Sequence, residues 1–362
     1  MDKKLGFGLM RLPLTDPNDS GSIDIPLLKQ MVDTFLERGF TYFDTAWMYC
    51  GSKSENAVKE ALSSRYPRDR YTVTSKLPSG SLTDLDSRDV LFNTQLEKTG
   101  LEYFDYYLLH AVGGGNVERF KELKCFEWIK AKKAEGKVKH IGFSYHDGPE
   151  LLDKLLTEHP EFDVVQLQIN YLDWENPKVQ SRACYEVARK HNKPVIIMEP
   201  VKGGALANVP ESVERMFFNR EPKMSNASWA VRFAAGLPGV MMVLSGMSNM
   251  EQLLDNTGFM ADFKPLTKEE TELALFAGQV IAKDMKIACT GCAYCLDQCP
   301  QNIAIPQYFK LYNENGDKQE YDALTKEFGK AGDCIVCGAC EKICPQQLPV
   351  RKYLREIAED YE

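Results

Sequence analysis

The chain lacks a long apolar segment, a basic block and a secretory start. No apolar run reaches the ~20 residues of a membrane-spanning helix, because Pro, Gly or charge interrupts each one. The formal net charge is -8 and Lys and Arg are not clustered, which argues against a nucleic-acid or anionic-membrane partner. The opening MDKKLGFGLMRLP lacks the charged and apolar regions of a signal peptide. We therefore expect a cytoplasmic protein whose partners are small molecules and redox proteins.

A glycine-rich dinucleotide-binding turn is also missing. No G-x-G-x-x-G follows an early strand, so an open doubly wound sheet lacks its fingerprint. With 362 residues, of which 44% are hydrophobic, the chain can bury a full core and still carry a second domain. The length and composition therefore favour two domains.

Short runs rich in Val, Ile, Tyr and Phe alternate with stretches of helical period in the first part of the chain. The strand candidates are 5–9, 41–45, 71–76, 103–110, 138–144, 164–170, 194–200 and 239–246. The helix candidates lie near 26–38, 53–64, 86–99, 119–135, 148–158, 178–191, 225–236 and 249–256, the second opening with a possible capping box, Ser52-x-x-Glu55. This pattern predicts an α/β fold, a (β/α)8 TIM barrel over residues 1–262.

The last quarter of the chain contains the cysteine pattern C-x-x-C-x-x-C-x-x-x-C-P twice. Three cysteines at intervals of three can wrap one [4Fe-4S] cube, while the fourth ligates the other cube. Structural zinc and a disulfide framework are the alternatives. We predict two [4Fe-4S] clusters in a small, mainly helical ferredoxin-like domain within residues 263–362. The metal ligands are Cys289, Cys292, Cys295, Cys299, Cys334, Cys337, Cys340 and Cys344.

Four ionisable residues follow or end consecutive predicted strands. In a parallel barrel the chemistry lies where strands end, so Asp44, Tyr49, Lys76 and His110 can converge at the mouth. A phenol has a pKa of about 10 and needs a nearby cation to act as an acid at neutral pH. Lys76 can supply that cation, Asp44 can hold it, and His110 can orient a carbonyl oxygen. Each residue alone is better explained by packing, capping or solvation, but four together indicate a general acid with its tuning partners.

These residues carry a family resemblance. The segments FDTA-x-x-Y, LLH, IGFS, VQLQIN and SGMSNMEQLLDN resemble the aldo/keto reductase superfamily over residues 5–256. With MEPVKGG and the twin cysteine motifs, the whole chain resembles the branch that has a C-terminal [4Fe-4S] ferredoxin domain. The resemblance implies an oxidoreductase that reduces an aldehyde or ketone with NADP or NAD. It also implies cofactor contacts from Ser144, Gln166, Met198, Pro200, Lys202, Gly246, Ser248, Gln252 and Asn256.

The sequence departs from this family at three places. Tyr145 follows Ser144 where Asn or Arg is frequent, and Met198 replaces an aromatic that stacks on the nicotinamide. Asn249 and Gln252 occupy positions where relatives carry Arg or Lys against a 2′-phosphate. The choice between NAD and NADP therefore stays open.

The two predicted halves handle electrons differently. A reduced nicotinamide transfers two electrons as hydride, whereas each cubane passes one electron at a time. A flavin could bridge them, although no motif indicates one. We expect the clusters to relay electrons between the barrel site and a soluble carrier. The alternatives are a non-catalytic redox sensor that binds nicotinamide and clusters, and a plain carbonyl reductase with a structural cysteine domain.

Overall fold

The computed structural model describes residues 3–17 and 19–362, and it contains a closed barrel of eight parallel strands in sequence order. The predicted (β/α)8 fold is confirmed. Each strand overlaps its predicted position, and β1 pairs with β8 to close the barrel. The strands are β1 (Leu5–Gly8), β2 (Tyr42–Asp44), β3 (Thr72–Pro78), β4 (Phe104–Val112), β5 (Val138–Tyr145), β6 (Val164–Gln168), β7 (Val195–Met198) and β8 (Val240–Ser245).

Helices surround the barrel and build the C-terminal region. Among the described residues, no helix is both long and apolar enough to cross a bilayer. Around the barrel lie α1 (Ile25–Glu37), α2 (Tyr49–Ser52), α3 (Ser54–Val58), α4 (Ser87–Thr99), α5 (Val117–Glu122), α6 (Cys125–Ala134), α7 (Pro149–Glu158), α8 (Ser181–Lys190), α9 (Glu211–Arg220), α10 (Asn226–Gly236), α11 (Met250–Ala261) and α12 (Lys268–Asp284). The C-terminal region contains α13 (Ile305–Asn313), α14 (Lys318–Leu324), α15 (Ala339–Ile343) and α16 (Val350–Tyr361).

Strand alternation decides which side chains face the barrel axis. Tyr42 and Tyr106 belong to the small apolar cluster inside the barrel, whereas Phe43 packs in the core between strands and helices. Successive strand residues point to opposite faces, so the residue two positions after an inward residue also points inward. Asp44, which follows Tyr42 by two positions, therefore faces the axis at the carboxyl end of β2.

Local chemistry explains where the helices differ from expectation. Ser52 has φ +64° and makes no capping bond, so the predicted Ser52-x-x-Glu55 capping box is wrong. Glu55 instead lies buried and accepts hydrogen bonds from the side chains of Ser75 and Gln95. The predicted helix 119–135 is divided at Lys124, whose φ is +47°.

The C-terminal region has its own hydrophobic core. Buried residues from Ile287 to Ile357 form a cluster separate from the barrel core. Helix α12 belongs to the barrel, because Ala274, Ala277 and Ile281 pack in the barrel core. The core thus changes after Ile281, later than the predicted boundary near residue 262. We call residues 287–362 the cysteine module.

Candidate active site and cysteine module

The mouth of the barrel holds a buried lysine whose hydrogen-bonding capacity is fully used. Lys76 Nζ donates to Asp44 Oδ1 at 2.5 Å, to the carbonyl oxygen of Thr45 at 2.9 Å and to Tyr49 Oη at 3.2 Å. An ammonium has three N–H donors, so each one has an acceptor here. Gln166 Nε2 donates to the second carboxylate oxygen of Asp44 at 3.1 Å. The structure therefore brings Asp44, Tyr49 and Lys76 together in one network.

Burial governs the protonation of this network. Desolvation raises the pKa of Asp44 and lowers the pKa of Lys76, and their mutual attraction opposes both changes. The pKa of Tyr49 is raised well above its ordinary value, first by burial and then by the Asp44 carboxylate. This differs from the expected acidification of the phenol, because burial, followed by the Asp44 and Glu199 carboxylates, opposes formation of the phenolate. Tyr49 therefore keeps its proton and is poised as a donor.

His110 completes the predicted set from β4. Its ring lies edge-on to that of Tyr49, with centroids 6.0 Å apart. Burial, together with the nearby Lys76 charge, lowers the pKa of His110 well below its usual value, so the imidazole is neutral. Its Nδ1 is buried and has no hydrogen-bond partner within residues 3–17 and 19–362. A neutral imidazole with a free nitrogen can orient a polar ligand atom at the mouth.

The cysteine module adds a second tyrosine to this site. Tyr294, between Cys292 and Cys295, lies beside Tyr49, and its hydroxyl lowers the pKa of Tyr49 against the larger effect of burial. The Tyr294 ring also lies edge-on to His110, with centroids 6.5 Å apart. Its own pKa is raised well above normal, mainly by burial. Both phenols therefore carry a proton, and Tyr294 has one to donate.

A charged pair lies beside Tyr49. Arg11 Nη2 contacts Glu199 Oε1 at 3.1 Å, and both charges contribute to the pKa of Tyr49. Glu199 Oε2 is buried without a partner in the part of the chain that the structure describes. Glu199 follows β7, a position that the rule about strand ends points to. Arg11 and Tyr294 lie in irregular segments that carry no comparable signal.

The eight motif cysteines line two cavities in the crossed pattern predicted from their spacing. All eleven cysteines of the chain lie within the described residues as free thiols. We call the set whose cavity adjoins the barrel the inner cysteines: Cys289, Cys292, Cys295 and Cys344. We call the other set the outer cysteines: Cys299, Cys334, Cys337 and Cys340. Ile305 lines both cavities, so they are neighbours.

The donors around these cavities fit iron–sulfur clusters. Four thiols surround each cavity, and cubane clusters take cysteine thiolates as ligands. Burial raises the pKa of Cys292 to about 12 and that of Cys340 to about 11. These thiols would be neutral at pH 7, so the positive charge of iron is needed to hold them as thiolates. The inner and outer cysteines can each hold one cluster.

The residues predicted to bind the nicotinamide have other partners in this structure. Ser144 Oγ accepts the backbone N–H of Ala111 at 2.7 Å. Gln166 donates a hydrogen bond to Asp44, as described above, and Ser144 and Gln166 are both almost fully buried. Met198 is half-buried at the end of β7, and Pro200 is buried. None of these four presents a free hydrogen-bonding group to an open groove.

The loop after β7 is covered by the cysteine module. Lys202 Nζ contacts Asp173 Oδ1 at 2.7 Å and Gln346 Oε1 at 2.7 Å, and all three residues are buried. Gly203 has φ +66°, and a Cβ there would lie 2.3 Å from the carbonyl oxygen of Thr290. Lys202 is thus enclosed between barrel and module, unlike the expected cofactor-facing lysine.

The predicted adenosine end is also internally bonded. Ser248 N–H donates to Gln252 Oε1 at 2.7 Å, and Ser248 Oγ donates to the carbonyl oxygen of Arg11 at 3.0 Å. Asn256 Nδ2 donates to Ser245 Oγ at 2.8 Å. At Gly246, an added Cβ would approach Arg11 Cβ to 3.3 Å. With the module docked, the predicted dinucleotide residues do not form an open site.

An open cleft of about 850 Å³ remains on another side of the mouth, between the module and the loops after β3, β4 and β5. His110 and Tyr294 form its inner wall, while Cys337 and Cys344 lie along its module side. His146 lines it too, and burial lowers the pKa of that imidazole to about 4. The cleft gives a small molecule access to His110.

Comparison with known proteins agrees with both parts of the chain. The Aldo/keto reductase family matches residues 4–274, and a 4Fe-4S dicluster domain matches residues 288–348. "Probable aldo-keto reductase 1" of Glycine max is 29% identical over 185 residues, 47% of this chain and 48% of that protein. The uncharacterized oxidoreductase YqkF of Bacillus subtilis is 22% identical over 300 residues, 74% of this chain and 90% of that protein. The chain thus spans about half the length of the soybean relative.

Solved structures share the barrel. An aldo-keto reductase from Klebsiella pneumoniae in complex with NADPH superposes with a TM-score of 0.59 at 19% identity, covering 77% of this chain and 90% of that one. At this identity the likeness concerns the fold. Because the family match extends over most of the sequence and the cysteine module matches separately, the resemblance drawn from the motifs is confirmed. This chain belongs to the aldo/keto reductase family and carries a C-terminal 4Fe-4S dicluster domain.

Proposed function

We propose that the protein is an iron–sulfur oxidoreductase that reduces an aldehyde or ketone at Asp44, Tyr49, Lys76 and His110, with two [4Fe-4S] clusters relaying electrons. One observation carries this proposal. A buried, protonated phenol lies between an ammonium that is fixed in place and a second phenol supplied by the loop of the inner cysteines. Redox ligands and a proton donor thereby share one site.

Tyr49 is the proton donor in this proposal. When its proton moves to a carbonyl oxygen, a phenolate forms in a buried place where an unpaired charge is costly. Lys76 Nζ, 3.2 Å away, and the hydroxyl of Tyr294 can both hydrogen-bond that anion. Because these donors are already in position, they stabilise the developing charge without reorganisation. Asp44 and the carbonyl oxygen of Thr45 hold Lys76 in place.

His110 orients the substrate in this proposal. Its neutral ring and unpartnered Nδ1 are buried beside Tyr49, and the open cleft reaches the same ring. A carbonyl entering through the cleft would therefore meet His110 and Tyr294, and Tyr49 lies buried next to His110. The half-buried Tyr294 also limits the water that reaches Tyr49.

The order of the clusters follows from the two cysteine sets. The inner cysteines flank Tyr294, whereas the outer cysteines line a cavity within the module, and Cys337 is exposed. Iron–sulfur clusters supply single electrons when bound. We propose that electrons enter at the outer cysteines, where a soluble one-electron carrier can approach, and leave toward the barrel site from the inner cysteines.

The proposal includes NADP or NAD as the hydride source that the family implies. When bound, a reduced nicotinamide supplies two electrons as hydride. Arg11 bonds to Glu199 and to the carbonyl oxygen of Thr290, and Lys202 bonds to Asp173 and Gln346. NADP and NAD are therefore not distinguished by a free basic side chain among the residues that the structure describes. No described feature calls for a flavin.

The Tyr49→Phe variant tests the proposed activity. We expect the rate of reduction of an aldehyde such as 4-nitrobenzaldehyde to fall about 10²- to 10⁴-fold, because the ring remains and only the proton donor is lost. Tyr185→Phe is the matched control, since its hydroxyl donates to Pro238 on the outside of the barrel. Both variants should keep the wild-type iron content and melting temperature.

Equal loss in the two variants, or undiminished reduction by Tyr49→Phe, would contradict the role of Tyr49. The relay is tested separately with the same aldehyde and a reduced one-electron carrier as donor. Cluster-free protein with an intact barrel should then be inactive. Unchanged rates would leave only a carbonyl reductase whose cysteine module is structural.

A further inference from the structure

We infer that the docked cysteine module and a nicotinamide dinucleotide exclude each other, because the loops of the inner cysteines occupy the groove predicted for the dinucleotide. The inference rests on the proposed function in one respect, namely that the barrel binds NADP or NAD. It adds a coupling: a carbonyl protonated by Tyr49 can take its two electrons as one hydride from the dinucleotide or one at a time from the clusters, but the two sources cannot reach it at the same time.

The strongest contact is made by Gln346, two residues after the inner ligand Cys344. Its side chain exchanges hydrogen bonds with Gln168 at 3.0 and 2.9 Å and accepts one from Lys202 at 2.7 Å. Gln346 is 5% exposed and Lys202 is 2% exposed. Lys202 was predicted to contact the cofactor, but here Asp173 of the barrel pairs with its charge and Gln346 of the module covers it.

A second contact lies beside the inner ligand Cys289. The carbonyl oxygen of the next residue, Thr290, accepts Arg11 Nη2 at 2.8 Å and packs on Gly203. Gly203 directly follows Lys202, one of the predicted cofactor contacts, and a glycine there lets another group approach the backbone closely. That close approach is made here by module backbone, because the glycine has no Cβ to hold Thr290 away.

All of these contacts depend on a single set of ligands. Thr290, Tyr294 and Gln346 each lie within two residues of an inner cysteine, so they move with that cluster-binding loop. The contacts are hydrogen bonds and the backbone packing of Thr290 on Gly203, and the hydrophobic cores of barrel and module are separate. A polar contact between separate cores permits relative domain motion. The module can therefore leave the groove as a unit.

The test measures NADPH and NADH binding to the full, cluster-loaded chain by nicotinamide fluorescence under anaerobic conditions. Gln346→Ala removes three hydrogen bonds to the barrel, and Gln346→Lys places a second ammonium against Lys202. Gln319→Ala, an exposed glutamine elsewhere in the module, is the control. Iron content and absorbance near 400 nm check that the clusters remain. Hydrogen exchange of residues 288–296 and 344–348 reports whether the module is docked.

We expect weak binding to the wild type, binding at least about tenfold tighter in the Gln346 variants, and no change in the control. Apparent affinity scales with the fraction of molecules whose groove is open. Saturating dinucleotide should also speed exchange in the two module segments. Wild-type binding as tight as in the variants, with exchange unchanged, overturns the inference. A Gln346 variant whose module exchanges freely with solvent but which still binds no dinucleotide also overturns the inference. The activity of Tyr49→Phe tests only the proposed function.

Discussion

The barrel mouth and the cysteine module both bury polar groups, but they satisfy them in different ways. At the mouth, Lys76 has an acceptor for each of its donors, and Asp44 is bonded through both oxygens. In the module, eight thiols line two cavities, and burial raises the pKa of Cys292 and Cys340. The barrel mouth is therefore organised by its own side chains, whereas the cavities of the module have a donor set that fits bound clusters. The barrel therefore presents a preformed proton-donor site. The folding of the attached cysteine module is expected to depend on whether its clusters are bound.

The largest expected effect is the unfolding of the cysteine module, without the barrel, when iron is removed. Chelation, or the variant Cys295→Ala, should unfold much of the module and leave the barrel folded, because only the thiols of the module require metal charge. Hydrogen exchange should show complete loss of protection in α13 and α16 with unchanged protection in β2 to β6. Comparable loss in the barrel strands would mean that the two regions are not independent.

The next effect concerns the Asp44–Lys76 pair. Lys76→Met leaves a buried carboxylate without its partner, so we expect the free energy of unfolding of the barrel to fall by about 3–5 kcal/mol. The double variant Asp44→Asn with Lys76→Met should recover most of that stability but none of the activity. Denaturant titration measures the first quantity and aldehyde reduction the second. Recovery of activity in the double variant would exclude Lys76 as a stabiliser of the phenolate.

A smaller effect is expected where the regions meet. Tyr294→Phe removes the hydroxyl beside Tyr49 but keeps the ring, so activity should fall roughly tenfold, the equivalent of about 1.4 kcal/mol. The pKa of Tyr49 should rise further, because the Tyr294 hydroxyl lowers it in the wild type. A tyrosinate titration of the folded variant beside the wild type measures this pKa. Tyr185→Phe again serves as control, and an equal change there would assign the effect to general destabilisation.

The smallest expected effect is a pH dependence of the barrel. The folded-state pKa of His146 is lowered to about 4, chiefly by burial, whereas an unfolded histidine titrates near 6.5. The unfolded chain therefore binds the proton first, and stability falls as the pH drops from about 6.5 to about 4. The slope should be shallower in His146→Gln, measured as barrel melting temperature against pH. Identical slopes would show that other groups dominate in this range.

Much of the fold was readable from the sequence because its signals are local. Periodicity located all eight strands, since strand burial imposes a pattern on neighbouring residues. Helix α9 was missed within the long loop after β7. The Ser52 cap failed because the buried carboxylate of Glu55 found partners on β3 and α4 instead. The spacing of residues in the sequence does not show that a side chain will bond to a distant segment instead of capping its own helix.

The barrel residues of the candidate site could also be predicted from local signals, but the module residues could not. Asp44, Lys76 and His110 lie at strand ends, where barrel geometry brings polar side chains together, and Tyr49 follows closely. Tyr294, Arg11 and Gln346 could not be foreseen. Their positions at the mouth depend on how the cysteine module docks, and no local pattern encodes that orientation.

The sequence by itself determined the barrel, the residues at its mouth and the grouping of cysteines, because strand alternation and ligand spacing act over a few residues. Only the tertiary structure decided that Tyr294 lies beside Tyr49 and that Gln346 and Thr290 cover Lys202 and Gly203. These contacts join segments far apart in the chain. They form through the docking of two separately folded cores, whose relative placement depends on complementary surfaces rather than on the periodicity of either segment.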